Sequence, residues 1–312
     1  MLSSFIIIVQ QVTVLALLMT VGYVGTKIGM IDDAVSKGLT SVAINFSIPC
    51  MLIRAFQSEY NSQLLKLFFL EFLISLALHV LSGVTSLALI RGKDVTSRAL
   101  RACIIFGNVG FVGFPLVRSI LGDLGVFYAS GFNFILALGI WTFGTWYINL
   151  GSSKLDVKTV IRDRVVKNPA FIALFVGLAI FLLQIRIPPV IDTTMEYLAS
   201  LAVPLPMFII GHLLTKTDLK AMLKDGKNWW SAFIRLLLLP AATVFILHAL
   251  KVDPMLIKVS AVAMGTPPAT VLAMVAEDER AASYTSSIIA SQTVISMFTL
   301  PIVTVLAFWI AA

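Results

Sequence analysis

Two short stretches interrupt apolar runs that ought to be continuous helices. "GNVGFVGFPL", from Gly107 to Leu116, places three glycines and a proline in one run, and Gly265-Thr266-Pro267-Pro268 repeats the device further on. Asn108 follows Gly107 as an N-cap residue would, and Thr266 stands before Pro267 as an N-cap before a proline at the first helical position. Each break is therefore expected to start a new half-helix. A helix N-terminus carries roughly half a positive charge and unpaired N–H groups, which suits an anion. Asn108, Val109 and Gly110 on one side, and Thr266, Pro267 and Pro268 on the other, are the expected substrate contacts. Half-helix C-termini meet at the same place, so a cation site stays open as well.

Other polar residues lie within apolar runs. Asn133, Gln292, Ser296 and Asn45 are candidate contacts to the same substrate, with Thr285 and Thr299 at helical spacing from Gln292 and Ser296. The alternative for each is a hydrogen bond between helices. Glu71 and Arg235 are ionisable groups inside apolar runs, where a charge is costly and marks function by default. They are expected to pair with each other, or Glu71 is expected to carry a proton as the coupling group. His79, His212 and His248 lie in or near span ends and are read as structural, and Glu196 as interfacial.

No enzyme signature accompanies these residues. The chain has no P-loop, no HExxH, no GxSxG and no CxxC, and its two cysteines, Cys50 and Cys103, offer no disulfide framework or metal spacing. No cofactor and no metal are expected.

The elements that must position these groups are membrane helices. The chain of 312 residues is 59% hydrophobic and only 12% charged, far from a soluble domain at about 25% charged. Its net charge of +7 reads as membrane topology rather than nucleic-acid binding. Ten runs are long enough to cross a bilayer, at roughly 5–25, 34–57, 64–90, 95–119, 122–149, 165–184, 190–213, 229–250, 254–277 and 281–310. The first has no charge before Lys27 and lacks a signal peptide's basic start, so it is read as a true span. Sixteen of the 23 Lys and Arg residues fall in loops after odd-numbered runs and six on the other side. That bias predicts both termini outside the cytoplasm, with Lys158 within it.

The halves repeat at an offset of about 157 residues. "NFSIPCMLI" at Asn45 meets "LAVPLPMFII" at Leu201, Gly107-Asn108 meets Gly265-Thr266, and Tyr128 meets Tyr284. Five runs per half make the second half inverted. Inverted repeats with breaks at matching positions put substrate near the midplane of a transporter. The expected organisation is a first repeat over 1–150, a short cytoplasmic linker over 151–168, and a second repeat over 169–312. The two broken helices, runs 4 and 9, are expected to cross at the centre.

"GNVGFVGFPL", "TPPATVLA" at Thr266, "TLPI" at Thr299 and "NFSIPCML" at Asn45 together resemble the auxin efflux carrier family over the whole chain. The resemblance implies an all-α membrane protein of ten helices in a five-plus-five inverted repeat, similar to sodium–bile-acid symporters, with a mobile crossover domain moving as an elevator. It carries the family's crossover asparagine onto Asn108 and its second crossover proline onto Pro267. Plant members have proline where this chain has Gly107, serine where it has Leu52, and a long cytoplasmic loop. Those departures point away from auxin itself and towards a bacterial member moving small carboxylates such as malate or malonate. The implied partners are a small organic anion, the lipid bilayer of the plasma (inner) membrane, and a proton or sodium as coupling ion, with a homodimer left open. A sodium-coupled symporter, or a receptor that binds an acid without moving it, are the competing readings.

Overall fold

A chain this apolar has to satisfy its own backbone, and in lipid a helix does so within one segment. The computed structural model describes residues 2–150, 166–216 and 224–311. These form helices α1 (Leu2–Lys27), α2 (Asp33–Ala55), α3 (Ser62–Leu89), α4 (Val95–Ile105), α5 (Val109–Ile148) and α6 (Pro169–Leu183). They continue with α7 (Pro189–Ser200), α8 (Pro204–Leu214), α9 (Gly226–Ala249), α10 (Pro254–Gly265), α11 (Val271–Val275) and α12 (Glu279–Ile310). Among the described residues, seven helical stretches are long and apolar enough to span a membrane: α1, α2, α3, α5, α7 with α8, α9 and α12. Helices α6 and α10 are apolar but shorter. Most of the expected linker, residues 151–165, lies outside the described residues, as do Lys154, Lys158, Arg162, Arg164 and Lys220.

Several expected runs are divided. The run at 95–119 is split between α4 and the start of α5, and the run at 254–277 between α10 and α11. Helix α5 then passes into the next run through Gly122, whose φ of 65° and ψ of −162° fall outside helical geometry. The run at 190–213 turns at residues 201–203, just before Pro204.

Prolines inside helices explain a recurring local feature. Proline has no N–H, and its ring clashes with the carbonyl four residues back. At Pro49, Pro115 and Pro240 the preceding residues form one wide turn, at Ala43–Ser47, Val109–Gly113 and Ile234–Leu238. The residue just before each proline donates five positions back, Ile48 to Ala43, Phe114 to Val109 and Leu239 to Ile234. The wide turn takes up the register that proline would otherwise break, as single π-turns do elsewhere.

Two packing groups result. In one, α1 lies along α8, and α2 packs on α6 and α7. In the other, α3 packs on α5, and α10 packs on α9, α12 and α5. The first group is tightest where α1 crosses α8: a Cβ on Gly22 would fall 2.6 Å from the Cα of Phe208, and one on Gly211 would fall 2.6 Å from the Tyr23 nitrogen. Small residues at such a crossing let two backbones touch, which in lipid is a main source of association. Beside it, His212 contacts Thr26 through Nδ1 at 3.1 Å and Asp33 through Nε2 at 3.0 Å, and Lys216 also pairs with Asp33. Glu196 is more than an interfacial residue: it bridges Arg54 and Arg118, the latter at 3.1 Å, and so ties α7 to both α2 and α5.

Because the neighbours of Gly211 are backbone atoms, they have little room to give. Gly211→Leu is expected to cost about 1–3 kcal/mol, the usual range for overpacking, and to lower the thermal unfolding midpoint in detergent. An unchanged midpoint would show that α1 and α8 do not meet there.

Candidate functional site

Chain geometry at the two breaks follows from their residues. Helix α4 ends at Ile105, and Phe106 is already extended, with φ −107° and ψ 114°. Helix α10 ends at Gly265, and Thr266 is extended, with φ −65° and ψ 148°. A residue before proline is driven out of the helical region, so Thr266 and Pro267 both extend the chain. The two extended segments run antiparallel and pair through an isolated bridge between Gly107 and Pro268. The Asn108 N–H donates to the Pro267 carbonyl at 2.7 Å, and the Ala269 N–H donates to the Phe106 carbonyl at 3.0 Å. Neither bond needs a proline N–H, so the Pro-Pro pair costs the bridge nothing.

Asn108 is the N-cap expected of it. Its Oδ1 accepts from the Phe111 N–H at 3.2 Å, and the helix of Val109 and beyond begins there. Its side-chain Nδ2 is buried with no partner among the described residues. The first N–H groups of that helix, at Val109 and Gly110, have no carbonyl behind them in the helix to bond. Thr266 does not act as an N-cap. Its hydroxyl donates back to the Ala263 carbonyl at 2.7 Å, closing α10, and α11 starts only at Val271. Helix α11 is five residues long, so the expected second half-helix N-terminus is not built at Thr266 and Pro267. Two consecutive prolines hold residues 266–268 extended, and the helix resumes later.

Arg235, on α9, is 1% exposed. Its Nε donates to the Thr266 carbonyl at 3.1 Å, and its Nη1 to the Ile104 and Ile105 carbonyls at 3.2 and 3.4 Å. Nη2 lies 3.4 Å from the Thr266 hydroxyl. Glu71, on α3, is 0% exposed and accepts from the Ser260 hydroxyl of α10 at 2.8 Å through Oε1, while Oε2 has no partner among the described residues. No ion pair joins Glu71 to Arg235 among the described residues. Each is answered by a different part of α10 and its end, Ser260 for the acid and the Thr266 carbonyl for the base.

Two cavities lie against α5. One, of ≈ 300 Å³, is lined by Leu52, Phe114, Ser130, Asn133, Asn168 and Phe171 among others. Here Asn133 makes no hydrogen bond among the described residues, and Asn168 caps α6 by accepting from the Ala170 N–H at 2.9 Å. The other, of ≈ 360 Å³, is mostly apolar and lies among α1, α5, α8 and α12, with Ser296 in its wall. Gln292 is elsewhere: it donates to Ser231 at 2.7 Å, in a cluster with Asn228 and Ser291 that fastens α12 to α9. Asn45 is on the exposed side of α2 and donates to the Ser41 carbonyl of its own helix at 2.8 Å. Ser260, Ser130 and Asn168 escaped the sequence reading. For Asn168 a signal existed, since an asparagine directly before Pro169 is a helix start.

Apolar helices interrupted at two places whose backbones pair with each other are the build of a membrane transporter. Residues 7–304 match the family described as "Membrane transport protein". The chain belongs to that family, the family of the auxin efflux carriers. It is 26% identical over 308 residues to an uncharacterized transporter of Methanothermobacter thermautotrophicus, covering 93% of this chain and 96% of that protein. It is also 26% identical over 216 residues to an uncharacterized transporter of Methanocaldococcus jannaschii, covering 67% of this chain and 70% of that protein. The protein is a multi-pass membrane transporter, not an enzyme.

Among the described residues the Glu71–Ser260 bond is the only one made by this buried carboxyl group, so Ser260→Ala leaves that group unpartnered. A loss of about 1–3 kcal/mol is expected, read as a lower unfolding midpoint. In a Glu71→Leu background the same substitution should cost much less, since paired residues are not additive. Equal losses in both backgrounds would mean that the two side chains do not interact.

Proposed function

We propose that the protein is a secondary carrier of small organic anions, carboxylates such as malate, malonate or auxin-like weak acids, and that it moves them by an elevator-type alternating-access mechanism. The observation that carries this reading is the backbone bridge between the two breaks; a cavity elsewhere along α5 holds the Asn133 amide, which makes no hydrogen bond among the described residues. The start of α5 supplies unpaired N–H groups and the buried Nδ2 of Asn108. Arg235 adds a positive charge close by. Donors and a positive charge that has no carboxylate partner among the described residues favour an anion over a cation.

The reading includes ten crossings arranged as two inverted repeats of five, 1–150 and 169–312, joined by a cytoplasmic linker. Its support is the pattern of packing: α1 lies on α8 as α6 lies on α2, and α12 meets α4 as α5 meets α10. The packing group of α1, α2, α6, α7 and α8 would be the static scaffold, and the group holding the crossing would move with the substrate. Both cavities lie between the two groups. The bias in basic residues supports an orientation with both termini outside the plasma membrane. Glu71, buried and half-satisfied, is the proposed proton-coupling group.

Liposomes holding the purified protein, screened with labelled acids under a pH gradient, a sodium gradient or neither, test the reading. Uptake of at least one carboxylate is expected, and binding without flux would overturn transport. For the substrate so found, Asn108→Ala removes a cap worth about 1 kcal/mol and a bond to a charged ligand worth about 1.5–3 kcal/mol. Apparent affinity should fall roughly ten- to a hundred-fold. Full affinity in that variant would place the substrate away from the crossing.

A further inference from the structure

The crossing contains more negative partial charge than the substrate reading needs, and Arg235 is where it goes. Ile104 and Ile105 are the last two residues of α4, and Thr266 is the first after α10. Carbonyls at a helix C-terminus have no partner within the helix. Each such terminus carries roughly half a negative charge, so two ending at one point present about one. In broken-helix transporters, such carbonyl ends coordinate a sodium ion or a proton. In this chain one guanidinium reaches the Thr266 carbonyl at 3.1 Å, Ile104 at 3.2 Å and Ile105 at 3.4 Å. It has no carboxylate partner among the described residues, and it is 1% exposed. An unpaired buried charge is costly, and here the carbonyls of two helix ends are its counter-charge. The backbone is shaped to admit it: a Cβ on Gly107 would collide with Nη2 of Arg235. Only glycine at 107 lets the guanidinium lie against the crossing.

We propose that Arg235 is a tethered cation filling the position between the half-helix carbonyl ends, so that the crossing binds no free metal cation and the carrier works without sodium. Arg235 is then a positioning residue. It holds both breaks together and keeps the positive charge beside the anion permanently, where a bound ion would come and go. This rests on the carrier reading for its consequence to flux, but the cation site itself is a claim about the folded protein alone.

Thermal unfolding of the purified full chain in detergent tests it, with sodium compared against choline at equal ionic strength. The wild-type midpoint should not respond to sodium. Arg235→Ala should unfold about 5–10 °C lower, from the loss of several hydrogen bonds in a protein of this size. Millimolar guanidinium or sodium should raise the midpoint of that variant by binding its folded state, while leaving the wild type unmoved. Should Arg235→Ala fail to fold, two further variants decide. Arg235→Lys keeps the charge and should stay indifferent to sodium; Arg235→Gln keeps two donors without the charge and should become stabilised by it. Sodium stabilisation of the wild type, or an Arg235→Gln variant as indifferent to cations as the wild type, overturns the proposal. In liposomes, uptake by the wild type should be equal with and without a sodium gradient. A complete lack of anion uptake would sink the carrier reading and leave the melting result to decide on the cation site.

Discussion

Everything at the centre of this protein follows from one constraint: backbone groups freed at membrane depth must find partners without water. An unsatisfied group there costs several kcal/mol, and two broken helices free many at once. The chain answers by bringing the breaks to each other. Asn108 and Ala269 donate across the gap to Pro267 and Phe106. Asn108 caps the start of one helix with its Oδ1, Thr266 closes the end of another, and Arg235 gathers the remaining carbonyls. Break either helix alone and these groups lose their partners, so the two interruptions make sense only as a pair.

The rest of the fold holds that pair in place. Wide turns before Pro49, Pro115 and Pro240 let three helices carry proline without breaking. Gly22 and Gly211 let α1 and α8 touch, away from the paired breaks. At the far end of α5, Asn149 donates to the Val275 carbonyl at 2.7 Å and accepts from the Glu277 N–H at 2.9 Å, anchoring the chain that leaves α11. That contact steadies a helix too short to be stable by itself. The polar links thus fall mostly within each packing group, and the cavities fall between the groups.

Much of this was legible in the sequence, and the reasons for the rest are local. The all-helical class follows from composition, and the membrane transporter family from four short motifs in order. The two breaks were visible because glycine and proline are local signals. Asn108 was read correctly as an N-cap because capping depends on the residues immediately after it. Thr266 was misassigned by the same rule, since a second proline at 268 keeps the chain extended and delays the helix to Val271. The expected Glu71–Arg235 pairing is absent because the choice of partner depends on how α3, α9 and α10 rotate about their axes. A 3.6-residue period in runs that are apolar nearly all round does not reveal that rotation. Asn45 shows the same limit, being polar within an apolar run yet turned outward on α2. Gly122, with φ of 65°, falls where one expected apolar run gives way to the next.

The central claim is that the two breaks pair with each other through their backbones, and amide hydrogen exchange reads that pairing directly. Exchange of the Asn108 and Ala269 N–H groups, followed by mass spectrometry on peptides spanning each break, should be slow, with protection close to that of the α4 and α10 interiors. Rapid exchange at both amides, as in an open loop, would contradict the account.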